Sequence, residues 1–280
     1  MLTTDHEYGG CVLAWQAAAR ARGAELVIAP LPDPLTGPAG VLASLDAART
    51  DRARVVFVSH LASATSVLLP VVEICGWARE HGLLSVIDGA HVPGQLPLDV
   101  VLVGADVYVG SCHKWLCGPK AAAFLWVAPP LRDMVQPLVV SWGCEPGSSF
   151  ARRQSWGRHP RPGRGPGRAG RDRLPGPARL AGGARPGDRP RDPLPGRVRH
   201  PVRSSTAASG GPDWHRQMVA VPLPVGPGRS AEIESALLDR WRIEVHVRPW
   251  RSHTLIRPSF QGYNDQADLD RLLEALNTLV

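Results

Sequence analysis

Five β-rich apolar runs, separated by stretches with helical spacing, constrain the first half of this chain more than any other feature. They are "AELVIAPL" (24–31), "RVVFVSH" (54–60), "LLSVID" (83–88), "DVYVG" (106–110) and "AAFLWV" (122–127). Between the second and third, "PVVEICGWAREHG" (70–82) spaces its apolar residues three and four apart, the period of an amphipathic helix. Strands joined through helices build βαβ units, so the expected class is α/β with a mainly parallel sheet. Such sheets gather ligands at the carboxyl ends of their strands, and the polar residues there carry the functional argument.

Residues 213–280 are regular again and predict a small α+β domain. "QMVAVPLP" (217–224), "IEVHV" (243–247) and "TLIRPSF" (254–260) read as strands, and "SAEIESALLDRW" (230–241) as a helix. "NDQADLDRLLEALNTL" (264–279) reads as a closing helix, with Asn264 or Asp265 as its N-cap. From Arg158 to Pro212 neither period is sustained, and Pro and Gly recur too often for a helix or strand interior. The expected organisation is a partial large domain (1–144), a connector (145–157), a disordered Arg/Pro/Gly-rich tract (158–212) and the small domain (213–280).

That tract explains the charge. The chain carries a formal +7, yet no Lys follows Lys120 and no Glu lies between Glu145 and Glu232. Nucleic-acid-binding tracts mix Lys with Arg and interleave aromatics, which this one does not, so nucleic acid is not an expected partner. A one-base shift in translating GC-rich DNA accounts for the bias. A shifted reading from Arg158 to Leu180 can restore a Gly-Thr pair and a Pro-led, Ala-rich helix. Segment 158–212 is therefore read as out of frame, against two alternatives: a genuine linker and an Arg-rich arm for anionic ligands. Five Cys at irregular spacing form neither a disulfide framework nor a metal motif. With no apolar run of membrane length and no signal-like start, the expectation is cytoplasmic, with no membrane partner.

The chemistry lies in "VIDGAHVPGQLPLDV" (86–100) and "ADVYVGSCHKWLCGPKAAAFLWV" (105–127). Asp88 closes one apolar run; Lys114 follows another, after Ser111 and His113. Singly, an Asp before Gly is commonly a turn residue and a Lys before Trp a solvated one. Together, a strand-end carboxylate and a lysine across a pocket suit pyridoxal phosphate. The amine forms a Schiff base, and the carboxylate keeps the ring nitrogen protonated.

With "LTTDHEYGGC", "VSHLASATSVLLPVVEI" and "RPSFQGYN", these motifs resemble the class V aminotransferase family of fold-type I pyridoxal phosphate enzymes, in its isopenicillin N epimerase-like branch. The resemblance runs from residue 1 to about 157 and resumes near 213. Family members carry a further segment before "LTTDHEYGG", so the chain is expected to be shortened at its N-terminus. The resemblance implies a large domain with a mainly parallel sheet and a small C-terminal domain. It implies that Lys114 holds pyridoxal 5′-phosphate and moves the substrate α-proton, and that Asp88 pairs with the pyridine nitrogen. His91 would approach the phenolic oxygen or the ring, Ser63 the same oxygen, and Tyr8 would stack. Ser111 and His113 would bind phosphate, and Arg257 would grip the substrate α-carboxylate; no metal is implied.

Tyr263 and Asn264 complete the signature as turn residues. A homodimer and a small amino acid substrate follow from the same likeness. Cysteine desulfurases of this family need a thiolate shortly before that arginine, and "EVHVRPWRSHTLIR" (244–257) has none; Cys112, Cys117 and Cys144 lie elsewhere. The expected activity is epimerisation, or a related transamination or lyase step, at an amino acid α-carbon. Its rival is a catalytically dead product of the same fold.

Overall fold

The computed structural model describes residues 1–140, 143–155 and 217–280. The tract 158–212, with the disorder and frame readings placed on it, lies outside the described residues. In chain order the elements are β1 (Leu2–Thr4), α1 (Gly9–Arg20), β2 (Val27–Ala29), α2 (Pro38–Ala48), β3 (Val55–Ser59) and α3 (Val71–Glu80). Then come β4 (Leu84–Asp88), α4 (Val100–Val103), β5 (Val107–Ser111), β6 (Ala123–Val127) and α5 (Phe150–Ser155). The last stretch holds β7 (Val221–Leu223), α6 (Ser230–Trp241), β8 (His246–Trp250), β9 (His253–Arg257) and α7 (Gln266–Leu279).

Among the described residues, the first six strands form one sheet in the order β2-β1-β3-β4-β5-β6. All its pairings are parallel except β5 with β6. Parallel strands need crossover helices, and these cover the sheet faces. Hence β3 is apolar without alternation, with Val56, Phe57 and Val58 all buried. Helix α3 turns Val71, Ile74, Cys75 and Ala78 inward, the i, i+3, i+4, i+7 stripe of an amphipathic helix.

Strands β7, β9 and β8, in that order, form a small antiparallel sheet. It packs on α6 through Ile233 and Leu237 and on α7 through Leu272 and Ala275. Asp265 caps α7 and exchanges bonds with Asp268 in a capping box. The strand expected at 243–247 is instead β8, three residues later. Helix α6 ends at Arg242 in the left-handed conformation (φ 57°), and Ile243 and Val245 spend their apolar surface on the small core before pairing begins. Pro249 is tolerated because β8 is the edge strand, where a missing N–H costs the ladder least.

The two lobes share core. Ala220, Trp250 and Leu255 of the small lobe pack into the large cluster, and Met218 joins Leu61 and Val92. Among the described residues no helix is long and apolar enough to cross a membrane.

Candidate active site

Strand β4 ends on Asp88, which pairs in register with Ser59 of β3 and Val109 of β5. The parallel topology thus delivers the carboxylate to the rim where crossovers leave a crevice. Its Oδ1 accepts from the Ala90 N–H at 2.9 Å, closing the turn, and its Oδ2 takes the Cys11 thiol at 3.7 Å. Neighbouring β5 ends on buried Ser111, and the loop beyond it carries His113 and Lys114. That loop closes on itself: the Gly118 N–H donates to the Cys112 carbonyl at 2.8 Å. A Cβ at Gly118 would stand 2.7 Å from that same oxygen, so only glycine lets the loop close.

A cleft of about 420 Å³ opens over these strand ends. It is lined by Tyr8, Ser63, Asp88, His91, Ser111, His113 and Lys114, the seven large-lobe residues singled out from sequence. A smaller cleft of about 200 Å³ shares His91 and Lys114 with it and adds Trp115, Ser259 and Tyr263. A third, again about 420 Å³, shares Ser259 with the second and reaches Arg257 and His246. Lys114 therefore faces the large-lobe cleft on one side and small-lobe residues on the other.

Arg257 enters from β9, the central strand of the small sheet. Its Nη1 donates to the Ser63 carbonyl and, at 2.9 Å, to the Ser63 hydroxyl. Its Nε is buried without a hydrogen-bond partner, and no ion pair with a carboxylate is formed by Arg257 among the described residues. Burial, then the nearby Arg248, pull its pKa below the usual arginine value. A half-buried guanidinium with a spare donor is a site for an anion, and its fork suits a carboxylate. Ser63 thus stands against Arg257, a contact that differs from the phenolic-oxygen role implied by resemblance.

Lys114 Nζ lies 3.1 Å from His91 Nε2, and the Trp115 indole N–H donates to His91 Nδ1 at 3.3 Å. Crowding by the cleft walls lowers the Lys114 pKa against the attraction of Asp88, and Arg257 lowers it further. Burial, with Lys114, Arg257 and His246 adding repulsion, takes His91 down to about 3. His113 Nδ1 donates to the Ala122 carbonyl at 3.2 Å, so a neutral ring carries its lone pair on Nε2. Asn264 acts as the expected turn residue, its Oδ1 accepting from the Gln261 N–H at 3.0 Å; Tyr263 is exposed at the second cleft.

Sequence reasoning missed three residues here: Glu7, Cys11 and Trp115. Glu7 is buried beneath the cleft floor and accepts from Thr4 Oγ1 at 2.6 Å, from the Ser59 N–H at 2.7 Å and from Ser59 Oγ at 2.6 Å. Burial outweighs these donors and raises its pKa to about 7. All three lie inside or beside the quoted motifs, and no local pattern marked them.

Known proteins resemble this chain in sequence and in fold. The family model described as "Aminotransferase class-V" matches residues 1–152. The isopenicillin N epimerase of Streptomyces clavuligerus is 34% identical over 309 residues, covering 100% of this chain and 73% of that protein. The isopenicillin N epimerase of Amycolatopsis lactamdurans is 32% identical, with the same two coverages of 100% and 73%. A probable chloroplastic L-cysteine desulfhydrase of Arabidopsis thaliana is 28% identical over 82% of this chain and 51% of its own length. Among solved structures, a C-DES mutant with glycine covalently linked to its PLP cofactor superposes with a TM-score of 0.68. It is 20% identical and covers 98% of this chain and 73% of that one, a likeness of fold.

Proposed function

This chain belongs to the class V aminotransferase family, and from that premise we propose that it acts at the α-carbon of an amino acid or peptide-borne amino acid, in the manner of an isopenicillin N epimerase. Pyridoxal 5′-phosphate is the cofactor, and the fold is fold type I of the enzymes that use it. The residues present fit that group. A cleft of about 420 Å³ is roomy enough for a small ligand and offers a carboxylate, an amine, hydroxyls and imidazoles on one surface. One observation carries the reading: Lys114 and Asp88 line the same cleft, with the buried, unpaired Nε of Arg257 beside it.

When bound, the cofactor supplies a ring that accepts the electrons left by a breaking bond at Cα. Asp88 would hold the ring nitrogen protonated, and Ser111 and His113 would hold the phosphate. Tyr8 would cover a ring face. Lys114 Nζ would hold the cofactor and, once released by the substrate amine, take the α-proton. Arg257 would orient the substrate by its α-carboxylate, braced from behind by Ser63. Exposed Leu138, Val139 and Val140 offer apolar surface for a second copy, in keeping with a homodimer. The five cysteines are unpaired, in keeping with a reducing cytoplasm.

Two measurements test this. Pyridoxal phosphate added to the purified chain should give a visible band that borohydride fixes to Lys114, read by peptide mass spectrometry and lost in Lys114→Ala; absence of band and label would establish the dead product. Epimerisation is then read as solvent deuterium entering Cα with inversion. Sulfide release from cysteine in its place would assign a lyase.

A further inference from the structure

We propose that Trp115 is a positioning residue for Lys114: its indole N–H fixes the tautomer of His91, and the ring so fixed donates to the lysine nitrogen and keeps it an uncharged amine. The functional weight of this rests on the reading of Lys114 as the cofactor-holding residue, but the hydrogen-bond logic does not.

An indole nitrogen only donates. At 3.3 Å from His91 Nδ1 it requires a lone pair there. A neutral imidazole carries one N–H, which must then sit on Nε2. An imidazolium is excluded, because it would turn a second N–H toward the indole hydrogen. Nε2 lies 3.1 Å from Lys114 Nζ, and with the hydrogen on Nε2 the lone pair of that bond must come from the lysine. An ammonium has none to give. The chain Trp115 to His91 to Lys114 is therefore satisfied in one protonation state only: neutral ring, neutral amine.

The backbone holds this spacing. Gly94 (φ +88°) brings the turn after Asp88 so close that a Cβ there would stand 2.7 Å from the Trp115 carbonyl carbon. Gln95 Nε2 donates to the His91 carbonyl at 2.8 Å, and Gln261 Nε2 reaches from the small lobe to the Trp115 carbonyl at 3.3 Å. The surrounding charges divide. Asp88 from β4 and Cys11 from α1 favour the ammonium, Arg257 from β9 opposes it, and His246 from β8 acts on His91 in the sense that keeps the ring neutral. Crowding by the cleft walls exceeds each of these for both groups, so the direction set by burial agrees with the bond pattern.

The test uses the full chain before any cofactor is added. Histidine ¹⁵N chemical shifts should show His91 protonated on Nε2 and bare on Nδ1. A ring protonated on Nδ1, or averaged between the two forms, overturns the proposal without any variant being needed. Competitive acylation across pH then titrates the Lys114 amine. Trp115→Phe removes the donor and keeps the bulk; it should raise the Lys114 midpoint by about one unit, a roughly tenfold slower labelling below it. In a His91→Ala background the same change should shift nothing, since the indole acts only through the ring. An equal shift in both backgrounds would make Trp115 a packing residue and overturn the proposal. Borohydride fixation of cofactor to Lys114 in the wild type is read separately, so the functional reading can stand while this one falls, or the reverse.

Discussion

The two walls of the cleft treat their polar groups differently. On the large-lobe wall, Asp88 has both oxygens engaged and His91 is held from two sides by Trp115 and Lys114, and beneath that wall Glu7 accepts three bonds. On the small-lobe wall, Arg257 leans on one residue, Ser63, and leaves its buried Nε unpaired. A buried donor left open costs about 1–3 kcal/mol, more when charged, so its persistence is informative. On the proposed reading, the wall that would hold the cofactor is wired in advance, whereas the wall that would meet the substrate keeps its capacity in reserve. Cofactor chemistry and substrate choice would then fall to different lobes.

The largest expected effect tests that division directly. Arg257→Lys keeps the charge but loses the fork. KM for the amino acid should rise on the order of 100-fold, about 3 kcal/mol, while the cofactor band and its attachment to Lys114 remain as in the wild type. A variant that loses cofactor instead would show that the small lobe is part of the cofactor site, and the contrast would dissolve.

A second change probes the large-lobe wall alone. Burial raises Glu7 from 4.5 to about 7, so between those values the folded chain keeps a proton that the unfolded chain has released. Stability then falls as pH rises through that window, by up to roughly 3 kcal/mol. His6 and His60, each lowered by burial to about 4, act oppositely: their contribution is complete above pH 6.5 and is lost as pH falls toward 4. The quantity to read is therefore the difference between wild type and Glu7→Gln in urea midpoints across pH 4.5 to 7. It should shift steadily in favour of the variant as pH rises. A constant difference would mean that the donors from Thr4 and Ser59 cancel the burial.

How much of this was legible beforehand follows from period and range. The runs that became β3, β4, β5 and β6 could be read because each five-residue strand is dominated by β-branched, aromatic or other apolar residues, and α3 because its stripe is regular. Strand β1 could not: Leu2–Thr4 is three residues long, yet it lies between β2 and β3, and its place comes wholly from pairing. Strand β8 slipped by three residues because Ile243 and Val245 are apolar for packing rather than for pairing. At the site, Asp88 and Lys114 were readable because motif and strand end coincide. The bonds of Ser63 to Arg257 and of Trp115 to His91 span 194 and 24 residues, and no local pattern encodes a partner at such separations.

The smallest effect concerns the joint that makes two walls one site. Arg251 Nη2 bonds Asp5 Oδ2 at 2.6 Å and the Leu31 carbonyl at 2.7 Å, and the guanidinium lies 4.5 Å from the Trp250 ring centre. Asp5 stands three residues before Tyr8, so this contact ties the small lobe to the segment that enters the cleft. Both partners are partly exposed, at 30% and 23%, and screening holds such a pair to about 1 kcal/mol even with Nε and Nη2 both reaching the one oxygen. Arg251→Ala should therefore lower unfolding stability by about that amount. Arg257 stays anchored through Ser63, so KM should rise less than about fivefold, with cofactor binding intact. A KM loss as large as that of Arg257→Lys would mean that the lobes are held in place chiefly by this one arginine, and that the reserve on the small-lobe wall depends on their alignment rather than on Arg257 itself.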